Sequence, residues 1–148
     1  MIANTTRGTL LSLLLFATLA VAACSDSAPP SPSGLFGGVW IGTLADSVSG
    51  NGAARVELAQ NGAGVTGTFT WTFSAGTQRS GSASGTVAGS NGTLFFTPAT
   101  GLICSSSLTL TGTMAANVVV SGPKMNASYS AFTCGDSLQT GTFELTRQ

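Results

Sequence analysis

Side chains that could do acid–base or metal chemistry are scarce in this chain. Charged residues make up 7% of its 148 residues, and histidine is absent. The lack of histidine excludes Ser-His-Asp and Cys-His catalysis as well as histidine metal sites. The formal net charge is zero, so the chain has no basic footprint for a phosphate backbone, and we expect no nucleic-acid partner.

The few acidic residues do not form a catalytic pattern. Glu57 and Glu144 alternate with apolar neighbours, so both should face solvent, Glu57 beside Arg55. Asp46 and Asp136 could approach each other at the rim of the folded domain, where two converging carboxylates would suit acid–base catalysis. The simpler interpretation is that both are solvated or cap turns. The alternation places no charge deep inside. We therefore predict a protein that is not an enzyme, with no metal and no cofactor.

The N-terminus has the features of an export signal. Arg7 precedes the segment 10–23, which contains about a dozen apolar residues; this is too short to span a bilayer but suits a signal peptide. The run ends in Val21-Ala22-Ala23-Cys24, which resembles the lipobox of bacterial lipoproteins. The resemblance implies cleavage after Ala23 and acylation of Cys24, with palmitate as a fitting chain. The alternative is plain cleavage near Ala23, with Cys24 an incidental thiol.

These features divide the chain into three parts. Residues 1–23 form the lipoprotein signal peptide, residues 24–34 the lipidated cysteine and a Ser/Pro-rich tether, and residues 35–148 the folded domain. Ser25 stands where an aspartate favours retention in the inner membrane, so the resemblance implies the outer membrane of a bacterial envelope. The membrane is then a partner of the protein through Cys24.

The two remaining cysteines predict a disulfide. Cys104 and Cys134 both lie in polar segments, and an even pair in an exported protein indicates a structural bridge. The alternative, a reactive thiol pair, lacks a Cys-x-x-Cys spacing and a neighbouring cation that would lower a thiol pKa.

The domain has the pattern of antiparallel β-structure throughout. Runs rich in threonine, valine and phenylalanine are separated by turn residues, and Asn-Gly occurs three times. Closure by antiparallel pairing needs an even number of strands, so of nine predicted strands we expect Asn117–Ser121 to merge with another or stand apart, leaving eight. The nine predicted strands are Gly38–Ala45, Ala54–Gln60, Val65–Phe73, Ser80–Ala88, Thr93–Thr97, Ser107–Met114, Asn117–Ser121, Lys124–Ala131 and Thr140–Arg147.

A repeated Gly-Thr-apolar motif favours a barrel. In each copy the glycine shares a strand face with the apolar residue, and inward glycines let a sheet bend sharply. The motif therefore predicts a small up-and-down barrel of about eight strands rather than a two-sheet β-sandwich, which remains the alternative. The six copies begin at Gly42, Gly67, Gly85, Gly92, Gly112 and Gly141.

Six aromatic residues fall on the predicted inner face. They are Trp40, Phe69, Trp71, Phe73, Phe96 and Phe143. Ordinary core packing explains them, but an eight-stranded barrel is also wide enough to hold one small ligand. We treat them as candidate ligand-binding residues for an apolar or neutral molecule.

Three segments resemble calycin barrels, a group that includes lipocalins, avidins and bacterial barrel inhibitors of metalloproteases. They are Gly38-Val39-Trp40-Ile41-Gly42, Gly64-Val65-Thr66-Gly67-Thr68-Phe69 and Gly141-Thr142-Phe143-Glu144-Leu145-Thr146-Arg147. The resemblance implies an arginine over Trp40, with Arg147 as the counterpart. Two functions remain open. One is a non-catalytic envelope lipoprotein whose barrel binds a small apolar ligand or lipid. The other is a protein-interaction, structural or inhibitor module of the envelope without such a ligand.

Overall fold

The computed structural model describes residues 34–105, 108–110, 112–132, 134 and 138–148. Cys24 and Asp136 lie outside these residues. The described part is all β, without helices. Its strands are β1 (Gly38–Asp46), β2 (Gly50–Asn61), β3 (Gly64–Phe73), β4 (Gln78–Ala88), β5 (Asn91–Pro98), β6 (Leu102–Ser105), β7 (Leu108–Leu110), β8 (Met114–Ser121), β9 (Lys124–Phe132) and β10 (Leu138–Arg147).

Eight of the strands close into an antiparallel barrel in the order β1-β10-β9-β8-β5-β4-β3-β2. Closure occurs at β1, where Trp40 pairs with Val56 on β2 and with Arg147 on β10. Each barrel strand otherwise neighbours the one before and after it in this set, as short hairpins favour. The predicted up-and-down barrel is confirmed, and the two-sheet sandwich is excluded.

The region between β5 and β8 corrects one prediction. The expected barrel strand Ser107–Met114 is wrong, because Leu108–Leu110 pairs with Leu102–Ser105 in a separate hairpin. Asn117–Ser121 belongs to β8, a full barrel strand, rather than standing apart. Alternation shows which face a residue occupies but not which strand it pairs with, so the sequence pattern alone did not separate these partners.

Inward glycines permit the close curvature of the barrel. A Cβ built on Gly42 would lie 1.9 Å from the carbonyl oxygen of Glu144, and one on Gly67 would lie 1.8 Å from that of Glu57. Any side chain at these positions would therefore overlap the backbone of the adjacent strand. This close approach is what the repeated Gly-Thr-apolar motif predicted for a strongly bent sheet.

Alternate residues fill the interior, and their neighbours form a surface rich in hydroxyl groups. Arg55 and Glu57 lie together on this outer face as expected, with Nη2 and Oε1 2.6 Å apart and each side chain about half exposed. Glu144 also faces solvent. The described residues contain no helix with the length and hydropathy needed to cross a membrane.

Candidate functional site

One end of the barrel, the closed end, is covered by the chain that leads into β1. Phe36 is fully buried there; its N–H donates to Oε1 of Gln60 at 2.9 Å, and its carbonyl accepts from Nε1 of Trp40 at 2.8 Å. The Arg147 guanidinium lies 4.6 Å from the centre of the Trp40 ring and donates to the Leu35 carbonyl. The predicted arginine over Trp40 is thus present, and these contacts fasten residues 34–36 across this end.

The middle of the barrel holds an aromatic cluster formed by Phe69, Trp71, Phe96, Tyr129 and Phe143. The Trp71 ring centre lies 5.1 Å from that of Phe69, 5.4 Å from Phe96 and 5.0 Å from Tyr129. Phe143 is 6.4 Å away, and all five side chains are buried. Tilted and edge-on rings at these distances attract one another beyond simple burial.

Four of the six candidate ligand-binding residues meet in this cluster, and two do not. Trp40 lies at the closed end under Arg147. Phe73 lies toward the opposite end, where the Arg79 guanidinium is 5.9 Å from its ring centre. The six candidate residues therefore lie at three places along the barrel axis. Tyr129 also belongs to the aromatic cluster, although the sequence analysis did not predict it.

The opposite end, the carboxylate end, is organised around Asp46, the last residue of β1. Its Oδ2 accepts from the Tyr129 hydroxyl at 2.5 Å and from Nε2 of Gln139 at 2.6 Å. Its Oδ1 accepts from the backbone N–H groups of Val48 at 2.9 Å and Ser49 at 2.6 Å. Four donors therefore surround one carboxylate. We call Asp46, Tyr129 and Gln139 the carboxylate network.

A glycine lets this network form. Gly141 on β10 pairs with Asp46 on one side and with Tyr129 on the other. A Cβ on Gly141 would lie 2.3 Å from Cζ of Tyr129 and 2.6 Å from the carbonyl oxygen of Ala45. The tyrosine ring thus passes directly over the glycine to reach a carboxylate two strands away, and any larger residue at 141 would block it.

Hydrogen bonding decides the charge state of Asp46. Burial by itself raises the pKa of its carboxyl, but the hydrogen bonds from Tyr129, Ser49, Val48 and Gln139 outweigh burial and hold the pKa below its ordinary value of 3.8. Burial, followed by the hydrogen bond to Asp46 and its charge, raises the pKa of Tyr129 well above the ordinary 10.0. At neutral pH the network is a buried carboxylate anion held by a neutral phenol.

The buried charge corrects the expectation that no charge lies inside. Asp46 is only 8% exposed, and Gln139 is 1% exposed. The inward position of Asp46 could have been predicted from the sequence, because the alternation of Trp40, Gly42 and Leu44 continues to Asp46. The turn-capping interpretation is also correct, since Asp46 bonds the N–H groups of the turn that follows it. Asp136, its suggested partner, lies outside the described residues.

The aromatic cluster contains an unsatisfied donor. Within the described part of the chain, Nε1 of Trp71 is buried and has no hydrogen-bond partner. The other indole, that of Trp40, has its backbone acceptor. A buried N–H without an acceptor costs about 1–3 kcal/mol, so such groups are rare in folded proteins. Trp71 presents this donor among four aromatic rings.

Four depressions formed by described residues lie on the outside of the barrel. One, of about 580 Å³, spans β1, β8, β9 and β10 beside Gly141. None of the four includes Phe69, Trp71 or Phe96 in its lining. A molecule that reached the Trp71 N–H would therefore displace side chains rather than enter one of these depressions.

The cysteines and metal-ligating residues add little to this site. Cys134 lies between β9 and β10, and Cys104 lies on β6, whose side chains are outside the description, so their bridge stays a prediction. Among the described residues, no group of three or more histidine, cysteine, aspartate or glutamate side chains is placed to hold a metal ion.

Comparison with known proteins shows the fold and no family. No protein-family model matches the chain, and no curated protein matches it. The solved structure of EF1p2_mFAP2b bound to DFHBI is similar at a TM-score of 0.64 and 14% sequence identity, covering 80% of this chain and 98% of that one. The closed eight-stranded antiparallel barrel and this likeness support a calycin-like fold.

Proposed function

We propose that this protein is a non-catalytic bacterial envelope lipoprotein, anchored by acyl chains on Cys24, whose barrel binds a small, mainly apolar molecule at the aromatic cluster. The observation that carries the binding proposal is the buried N–H of Trp71, which lacks an acceptor in the described part of the chain. An acceptor atom on a bound molecule would satisfy this donor, and the surrounding rings would cover the rest of the molecule.

The structural likeness supports a ligand-binding role. The solved structure of EF1p2_mFAP2b is bound to DFHBI, and this chain matches 98% of its length. Barrels of this size are just wide enough to be filled by side chains or to hold one small molecule. In our proposal the aromatic rings move apart to admit the ligand, since the described depressions stay on the outside.

The state of Asp46 supports a role without catalysis. Its carboxylate already accepts four hydrogen bonds, and its pKa is held below the ordinary value, so it is a poor proton acceptor at neutral pH. Glu57 and Glu144, the other described carboxylates, lie on the outer face.

The anchor proposal depends on the lipobox resemblance and on where the tether enters the barrel. Residues 34–36 are fastened to the closed end, so a lipid on Cys24 would put this end toward the membrane. The carboxylate end would then face away from it. Two or three acyl chains hold a protein far more firmly than one.

Native mass spectrometry of the exported protein tests the binding proposal. We expect an adduct that is retained under native conditions and lost on denaturation, with a mass that identifies the ligand. A bare barrel, recovered from its own host and still bare after incubation with a lipid and metabolite extract of that host, would contradict binding.

Fractionation of bacterial cells tests the anchor independently. We expect the wild-type protein in the outer-membrane fraction, with an added acyl mass on its N-terminal peptide. The Cys24→Ala variant should appear in the soluble fraction. Equal distribution of the two variants would contradict lipidation at Cys24.

An exposed apolar pair favours a second candidate, a module that binds another envelope protein. Phe132 and Leu138 face each other across β9 and β10 at the carboxylate end, 67% and 59% exposed. A photo-reactive residue at 132 should then cross-link one defined protein in the host envelope. The same residue at 144, on the outer face, should not, and Leu138→Ser should abolish the product.

A further inference from the structure

We infer that the ligand of this barrel is an uncharged, mainly apolar molecule carrying one hydrogen-bond acceptor, such as a ketone, aldehyde or ester oxygen, which takes the N–H of Trp71, and that the Asp46 carboxylate excludes ligands with an anionic head group. The inference rests on the proposed function and narrows it to one chemical class. It distinguishes this barrel from carriers of fatty-acid anions.

The acceptor requirement follows from the hydrogen-bond inventory of the interior. The five described residues of the aromatic cluster carry two polar groups, the Trp71 indole N–H and the Tyr129 hydroxyl, and the two ring centres are 5.0 Å apart. The hydroxyl already donates to Asp46 at 2.5 Å. The indole N–H is therefore the donor left over, and an indole nitrogen can donate but cannot accept. A ligand that satisfies it must supply an acceptor.

The apolar character of the ligand follows from the aromatic rings that surround Trp71. Phe69, Phe96 and Phe143 surround Trp71, and all are at most 2% exposed. A second polar group on the ligand would be buried against these rings without a partner, which is unfavourable. One acceptor on an otherwise apolar body fits the Trp71 N–H, the donor of the aromatic cluster that has no partner among the described residues.

The exclusion of anions follows from the carboxylate network. Asp46 is 8% exposed, and its charge is screened less by solvent than that of a surface acid. Tyr129, which bonds Asp46, packs directly on Trp71, so the head group of a bound molecule would lie near the carboxylate. Arg79, the cross-strand partner of Trp71, is the described cation on this side, and its charge opposes the rise in the Tyr129 pKa. Its side chain is more exposed than that of Asp46, with the guanidinium 5.9 Å from the Phe73 ring centre, so solvent screens its charge more. We therefore expect repulsion of a second negative charge to dominate.

Three naphthalene probes of matched shape test the inference: 2-acetylnaphthalene, 2-ethylnaphthalene and 2-naphthoate. The first carries a ketone acceptor, the second has no acceptor, and the third is an anion. By isothermal titration we expect 2-acetylnaphthalene to bind about tenfold more tightly than either of the others, the gain from one buried hydrogen bond.

The two tryptophans provide an internal control by nuclear magnetic resonance. The chain has two indole N–H groups, and the one on Trp40 already donates to Phe36. In a ¹H–¹⁵N spectrum the Trp71 signal should move downfield with 2-acetylnaphthalene, while the Trp40 signal stays in place. Trp71→Phe assigns the signal and should reduce the affinity for the ketone to that for the ethyl analogue. Trp40→Phe should leave the ketone affinity unchanged.

Asp46→Asn tests the exclusion separately, and we expect it to raise the affinity for 2-naphthoate about tenfold. Equal binding of the ketone and ethyl probes, or full binding of naphthoate by the wild type, would overturn this inference and leave the proposed function standing. Failure of all three probes to bind or to move the Trp71 signal would overturn the inference. If the native protein also carried no adduct, the proposed function would fail with it.

Discussion

The closed end and the carboxylate end of the barrel are each organised around a charged side chain, and the two charges have opposite sign. The closed end uses a cation, Arg147, over the face of Trp40, and the backbone carbonyls of Leu35 and Phe36 accept hydrogen bonds from these two side chains. The carboxylate end uses an anion, Asp46, that receives four donors. The first arrangement depends on apolar contact and a ring quadrupole, whereas the second depends on a charge that can be titrated. We therefore expect acid to weaken the interactions at the carboxylate end and to leave those at the closed end in place.

The largest effect is expected at the closed end. Trp40→Ala removes a fully buried ring, its hydrogen bond to Phe36 and the surface on which Arg147 rests, so it should lower the free energy of unfolding by about 3–5 kcal/mol. Urea denaturation measures this loss. Phe95→Ala is the matched control, because Phe95 is an aromatic residue 43% exposed on β5. A loss no larger than that of the control would show that this end does not hold the barrel together.

The next effect belongs to the predicted Cys104–Cys134 bridge, which would join the β6–β7 hairpin to the β9–β10 connection at the carboxylate end. In the chain-entropy model, its reduction should lower the free energy of unfolding by roughly 3–4 kcal/mol. The unreduced protein should also be lighter by two hydrogen masses than the reduced one. The double variant Cys104→Ser with Cys134→Ser should be insensitive to reductant. A wild type whose mass and stability ignore reductant would contradict the bridge.

Acid should separate the two ends most clearly. Because the pKa of Asp46 is lower in the folded protein than its ordinary value of 3.8, its contribution to stability is present above that value and is lost as pH falls through the folded pKa. Asp46→Asn should lower the free energy of unfolding at pH 7 by about 1–3 kcal/mol and flatten its acid dependence.

Two variants make the acid experiment specific. Glu144→Gln changes an exposed carboxylate on the outer face and should preserve the wild-type pH curve. Trp40→Phe should lower stability at every pH without changing the slope, because it leaves the carboxylate network at the other end intact. If Asp46→Asn keeps the wild-type slope below pH 4, the carboxylate network does not control acid stability.

The smallest effect compares the two arginine–ring pairs. Arg147→Met keeps an apolar stem over Trp40 but loses the cation–π contact and the hydrogen bond to the Leu35 carbonyl, so it should lower the free energy of unfolding by about 1 kcal/mol. Arg79→Met should lower it less, since the Arg79 guanidinium is 5.9 Å from the Phe73 ring whereas Arg147 is 4.6 Å from Trp40. Thermal unfolding of both variants at low and high salt measures the difference. The reverse order would contradict the ranking of the two ends.

Most of the barrel could be predicted from the sequence, because its cause is local. Period-two alternation places Trp40, Phe69, Trp71 and Phe143 inside, and short turns join neighbouring strands. Of the three Asn-Gly pairs, Asn61-Gly62 contributes to a turn, whereas the other two lie within β2 and β5. The prediction of a barrel strand at Ser107–Met114 was wrong because part of this segment pairs with β6, which lies outside the barrel. There the alternation of leucine and threonine is equally compatible with a separate hairpin.

The candidate site was predicted less well, because it depends on residues far apart in the chain. Alternation alone shows Asp46 pointing inward, but the partners that make its burial tolerable are Tyr129 and Gln139. These two partners lie 83 and 93 residues from Asp46, so the sequence around Asp46 does not indicate them. The opening over Gly141 that joins Tyr129 to Asp46 is likewise visible only once three strands lie side by side.

The sequence by itself determined the strand pattern, the inward faces and the glycines that permit curvature, because these follow from side-chain period and size. The envelope location stays a prediction from the resemblance of residues 21–24 to a lipobox. Only the tertiary structure decided that Arg147 covers Trp40, that a buried anion is satisfied by four donors, and that one indole N–H is left over. Those outcomes are set by distances between strands remote in sequence, and a hydrogen bond forms or fails within a few tenths of an ångström.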